Sequence, residues 1–163
     1  MRNCSTPPWT LSDAIRIYPK DFSTPYPKMQ SQYSNHNIRR ALQTLESIEE
    51  TIAQIVEWNR DVDSTDYFYQ SPGGMQLLAA NCTLLTAIGE GVNRIDRVLP
   101  DFLQSHFPEI PWRAIVGMRN HIAHGYFELD ADVVFETVKV DIPPLADTIS
   151  SVINLCKQLL NDC

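Results

Sequence analysis

Cysteine is sparse in this chain and does not cluster: Cys4, Cys82, Cys156 and Cys163 stand far apart, with no C-x-x-C pair. That spacing excludes a zinc ribbon, a thioredoxin-type motif and a disulfide framework, and it fits reduced thiols in a cytoplasmic protein. Positive charge is also in short supply. Thirteen Lys and Arg face twenty Asp and Glu, for a net charge of −7. A protein that coats nucleic acid through a broad basic face is therefore excluded, whereas an enzyme that handles RNA in one small local site is not. No apolar run approaches the roughly 18 residues of a membrane span. The N-terminus has no basic-then-apolar order, so no secretory signal is expected. Hairpin turns, βαβ alternation and internal repeats are all missing, which leaves helices as the building material.

Proline is present but uneven. Five of the eleven prolines (Pro7, Pro8, Pro19, Pro25 and Pro27) fall in residues 1–34, which carry a net charge of +2 against −9 for residues 35–163. Proline at that density blocks a long helix. The chain thus divides into a proline-rich N-terminal extension, 1–34, and a helical domain, 35–163. In the second part Ile38, Leu42, Leu45, Ile48, Ile52 and Ile55 step by three or four and predict a helix over about 36–58, capped by Asn35 or Asn37. Residues 60–74 read as a loop ending in the breaker run Ser71-Pro72-Gly73-Gly74. A second helix is predicted over about 73–98. Its apolar stripe is wide enough to require either a central position or an oligomer interface. Gly89 and Gly91 within it suit close helix packing. After a short turn near 101–106, Pro111 opens a third helix, 111–124, with Gly125 as its end residue. A fourth is expected over about 131–140, capped by Asp130 or Asp132. Pro143-Pro144 opens a last one that runs to about 161. The fold class is all-α, an antiparallel up-and-down bundle of four to five helices.

Within the third helix, polar residues interrupt the apolar pattern: Arg119, Asn120, His121 and His124, with Tyr126 just beyond. Arginine carries a rigid fork of donors suited to phosphate oxygens. Histidine titrates near neutrality and can take and return a proton. Together they form a minimal kit for cleaving a phosphodiester without a metal. His124 would deprotonate a ribose 2′-hydroxyl, Arg119 would stabilise charge on the transition state, and a 2′,3′-cyclic phosphate would result. Five residues correspond to about 140° around a helix, so the two do not share a face within one chain. Two copies of the helix across a two-fold axis would remove that obstacle. On residue chemistry alone, other readings stay open. The pair can be structural, Tyr126 can be a simple helix-end aromatic, and Arg119 with Asn120 can bind a nucleotide or phosphate. His121-x-x-His124 lacks companion ligands for a metal site. His36 and His106 are expected to be solvated.

The run Pro108-Glu109-Ile110-Pro111-Trp112-Arg113, followed by Gly117-Met118-Arg119-Asn120, His124-Gly125-Tyr126-Phe127 and Leu129-Asp130, resembles the signature of HepT-like proteins. These belong to the HEPN group of helical ribonucleases, and the resemblance extends over about 36–160. It implies a toxin of a type VII toxin–antitoxin pair that cleaves tRNA or mRNA. It also implies a homodimer, a site needing no metal or cofactor, catalytic Arg119 and His124, and supporting Asn120. In such proteins a minimal nucleotidyltransferase antitoxin, MntA, adds AMP to the tyrosine that Tyr126 matches. A bulky anion there would block RNA. The alternative within the group is a non-catalytic HEPN module that only binds such a nucleotidyltransferase. Three features depart from the family pattern. His121 stands where an apolar residue is usual, Thr83, Thr86 and Ala87 replace charged or amide residues, and the proline-rich arm is additional.

Overall fold

A computed structural model describes residues 33–124 and 130–161, with the side chains of residues 119–121, 123 and 124 outside that description. Helix α1 spans Asn35–Trp58 and buries Ile38, Ala41, Leu45, Ile48, Ile52 and Ile55, the stripe its period predicts. Its cap is Ser34, not Asn35 or Asn37. The Ser34 hydroxyl accepts the Asn37 N–H at 3.2 Å, so Asn37 supplies the third orphan amide of the helix. Just before it, the Tyr33 hydroxyl donates to the Pro100 carbonyl at 2.6 Å, and its ring meets Phe102 edge-on.

The expected 60–74 loop is partly ordered into a 3-10 turn, Thr65–Phe68, which buries Phe68 completely. Helix α2, Pro72–Val98, begins inside the breaker run. Proline there serves as a helix starter, because its missing N–H is one of the groups a first turn leaves unpaired. Ser71 caps the helix by accepting the Gly74 N–H at 3.0 Å. Gly74 has to be glycine, because a Cβ would run into the Tyr67 carbonyl. Along α2, Cys82, Leu85, Ile88, Val92 and Ile95 are buried. At Gly91 a Cβ would lie 2.8 Å from Cδ1 and Cγ1 of Ile48, which marks the close approach of α1 and α2. Because α2 packs against both α1 and the helix at 112–124, its wide apolar stripe follows from a central position within the chain.

Short α3, Phe102–His106, turns the chain, and α4, Trp112–His124, returns along α2. Helix α5, Ala131–Glu136, is capped by Asp130, whose carboxylate accepts the Asp132 N–H at 2.9 Å. Here the fold departs from expectation. No break separates a fourth helix at 131–140 from a fifth. The chain passes through a π turn, Thr137–Asp141, directly into α6, Ile142–Asn161. Pro143 and Pro144 have no N–H to return to the preceding turn, and widening that turn absorbs the mismatch without ending the helix. Helix α6 packs on α1 and completes the bundle. Among the described residues there is no strand, and no helix is long and apolar enough to cross a membrane.

Candidate functional site

Helix α4 carries the residues singled out by sequence. Its start is tightly fixed. The Pro111 carbonyl accepts the Ala114 N–H at 2.8 Å, and the buried Trp112 indole N–H donates to the Phe107 carbonyl at 2.9 Å. At about 100° per residue, positions 112, 115, 118, 119 and 122 fall within an arc of about 120°. Trp112, Ile115 and Ile122 are buried in that arc, and Met118 packs against the same core. By helical register alone position 119 falls within the same arc, and position 124 lies about 140° away from it. The helix places the backbones of Arg119, Asn120, His121 and His124 in its last two turns; their side chains, and all of Gly125 and Tyr126, lie outside the described residues.

Opposite the inward arc stands a group that sequence reasoning missed. Asp141, 9% exposed, closes the π turn and walls a small crevice with Thr137, with Ile115 and Met118 of α4, and with Leu85 and Ile88 of α2. Nothing in the local pattern announces it, because Asp141 sits between two predicted helices and reads as linker.

A second missed group is a buried amide pair. Asn59, at the end of α1, and Asn81, on α2, exchange two hydrogen bonds of 2.8 Å each, Nδ2 to Oδ1 in both directions. The Asn59 amide also donates to the Ile55 carbonyl at 2.8 Å, and Lys139 Nζ donates to the Asn59 carbonyl at 2.6 Å. The network ties α1, α2 and the π turn together. Thr83 and Thr86, flagged as departures from the family pattern, direct their hydroxyls to the Ala79 and Cys82 carbonyls of their own helix at 3.0 and 2.8 Å. Of the two histidines expected in solvent, His36 is exposed but His106 is not. The His106 ring is half-buried against Phe102, with Nδ1 2.7 Å from the Phe102 carbonyl. Burial pushes the Cys82 thiol up and the Cys156 thiol up to about 12, so both are held neutral in the core.

The match to a family model, across the helix that carries the Arg-x4-His spacing, makes this all-α bundle a protein of HEPN type. The chain belongs to the HepT-like ribonuclease family, whose profile matches residues 42–152, a span that contains Arg119, His124 and Tyr126. The curated protein "Probable ribonuclease HepT" of Thermococcus cleftensis is 38% identical over 101 residues, which are 62% of this chain and 84% of the relative. "Putative RNase MJ1380" of Methanocaldococcus jannaschii is 30% identical over 101 residues, 62% of this chain and 85% of that protein. No solved structure matches significantly.

Proposed function

We propose that this protein is a metal-independent endoribonuclease, the toxin of a toxin–antitoxin pair, with Arg119 and His124 as its catalytic residues. The observation that carries the reading is the family match across 42–152, which brackets the Arg119–His124 segment on α4. In this reading His124 removes the proton from a ribose 2′-hydroxyl, and the freed oxygen attacks the adjacent phosphorus. The 5′-oxygen leaves with a proton returned by the imidazolium. Arg119 holds the non-bridging oxygens as negative charge builds on them. The site is built by a homodimer. Positions 119 and 124 face different ways on one helix, and a two-fold axis supplies Arg119 and His124 from both copies to a shared cleft. Asn120 supports the site as a donor beside Arg119, and His121 is a further proton-transfer group within it.

Tyr126, two residues beyond His124, is the control point. An MntA-like nucleotidyltransferase antitoxin adds AMP to its hydroxyl, and the added phosphate repels the RNA backbone. The test is cleavage of total RNA and tRNA in EDTA by purified wild type and by His124→Ala. Wild type is expected to cleave and His124→Ala to lose at least 100-fold in rate, the lower end of what a positioned proton-transfer group contributes. Equal inertness of both proteins would leave the alternative, a non-catalytic HEPN module, in place.

A further inference from the structure

We infer that the outward face of α4 carries the RNA strand beyond the scissile bond, with Arg113 as a phosphate contact and Gly117 as the point of closest approach. The inference rests on the ribonuclease reading given above and extends that site along its own helix.

Gly117 sits in the middle of α4, where glycine is the least favourable residue after proline. Gly74 and Gly91 have a reason within the chain, because a Cβ would strike the Tyr67 carbonyl or the Ile48 side chain. Gly117 has no such reason among the described residues. It is exposed, and a Cβ there would meet nothing within 4 Å. A bare patch of helix backbone that the fold does not cover suits close approach by a chain from outside.

Arg113 shares that face. At about 100° per residue, positions 113, 117, 120 and 124 fall within an arc of about 60°, on the side of α4 opposite Trp112, Ile115 and Ile122. The register thus lines up Arg113, Gly117 and the backbone of His124. Positions 113 and 124 are about 16 Å apart along the axis at about 1.5 Å per residue. That is the length of roughly five stacked nucleotides at about 3.4 Å each. A strand with its reacting phosphate near position 124 therefore passes Gly117 and reaches Arg113 within a few nucleotides.

Arg113 is exposed. The ion pairs among the described residues, Arg60 with Glu57 and Lys157 with Glu46, do not include it. Its fork of N–H donors is open to phosphate oxygens. The same face argues against a second copy as the occupant. A two-fold contact sets one patch against itself, and the stripe of Arg113, Gly117, Asn120 and His124 holds no carboxylate to receive the partner's arginine. A polyanion supplies that acceptor at every residue.

The experiment uses the full chain as wild type, Arg113→Ala, Arg113→Lys and Gly117→Leu, with Arg60→Ala as a charge control at the other end of the bundle. Two probes carry 2′-O-methyl groups in place of the attacking hydroxyl: a dinucleotide, and an oligouridylate of roughly 12 nucleotides, within the usual span of a single-strand groove. Arg113→Ala is expected to weaken the longer probe about 3- to 10-fold and to reduce the slope of log K against log salt by about 0.7, without weakening the dinucleotide. Arg113→Lys is expected to keep the slope. Gly117→Leu is expected to weaken the longer probe as well while melting no lower than wild type, since leucine favours helix and its side chain enters open space. The KM for long RNA rises by the same factors.

Unchanged binding in Arg113→Ala and Gly117→Leu, with RNA cleavage intact, overturns the track and leaves the ribonuclease reading standing. An equal loss in Arg60→Ala reduces the effect to net charge and overturns it too. A Gly117→Leu protein that dissociates from dimer to monomer in sedimentation makes this face a seam between copies, which also overturns it. If the wild type cleaves no RNA yet binds the longer probe through Arg113, the track stands and the ribonuclease reading fails. Neither cleavage nor binding overturns both.

Discussion

Replacing Asn81 with alanine tests the buried amide network without reference to any activity. The substitution removes both 2.8 Å bonds between Asn59 and Asn81. Asn59 keeps its bond to the Ile55 carbonyl, but its Oδ1 is stranded in a side chain only 2% exposed. A buried acceptor left without its donor costs about 1–3 kcal/mol. The space vacated by the carboxamide adds about 1 kcal/mol. The sum is about 2–4 kcal/mol, or a fall in Tm of roughly 10 °C for a chain of this size. Equilibrium urea unfolding followed by far-ultraviolet circular dichroism measures it. Adding Asn59→Ala closes a cycle whose coupling is expected at about 1–2 kcal/mol, because either single change already breaks both shared bonds. A loss below about 0.5 kcal/mol, or strict additivity, would refute the claim that these amides fasten α1 to α2.

Two further predictions concern the core. Gly91→Ala forces a methyl against the buried Ile48 side chain and is expected to cost about 1–3 kcal/mol by overpacking, measurable as a lower urea midpoint at unchanged slope. Cys156, its thiol pushed up to about 12 by burial, is expected to resist thiol reagents at pH 8 in the native state and to react on unfolding. The sign of its pH dependence follows from the same shift. Above the ordinary thiol pKa near 9 the unfolded chain loses this proton and the folded chain keeps it, so stability falls with rising pH by up to about 1.4 kcal/mol per unit until the folded group also ionises. A pH-independent stability between 9 and 11 in a chain retaining Cys156, or one no different in Cys156→Ala, would contradict the assignment.

The helices were legible wherever one side is apolar at a regular step. Ile38 to Ile55 and Leu85 to Ile95 specify α1 and α2 because burial and period agree there. Boundaries were less so. Ser34 rather than Asn35 or Asn37 caps α1, and Pro72 starts a helix where the run around it reads as a breaker, since the same residue types serve turns and helix starts. The π turn was invisible, because a prolyl pair normally marks a break and only packing on both sides keeps the helix continuous. The candidate site divides similarly. Arg119, His124 and Tyr126 stand out as polar residues in or beside an apolar helical pattern. Asn59 and Asn81 are 22 positions apart, and Asp141 meets α4 from a distant segment, so each acquires meaning only once the chain is folded.

The most direct test of the central claim is end-group analysis of RNA incubated with the purified protein in excess EDTA. A 2′-hydroxyl attack assisted by His124 and Arg119 predicts fragments ending in 2′,3′-cyclic phosphate and 5′-hydroxyl, formed at an undiminished rate with metal removed. Fragments bearing 5′-phosphate and 3′-hydroxyl, or cleavage abolished by EDTA, would contradict it.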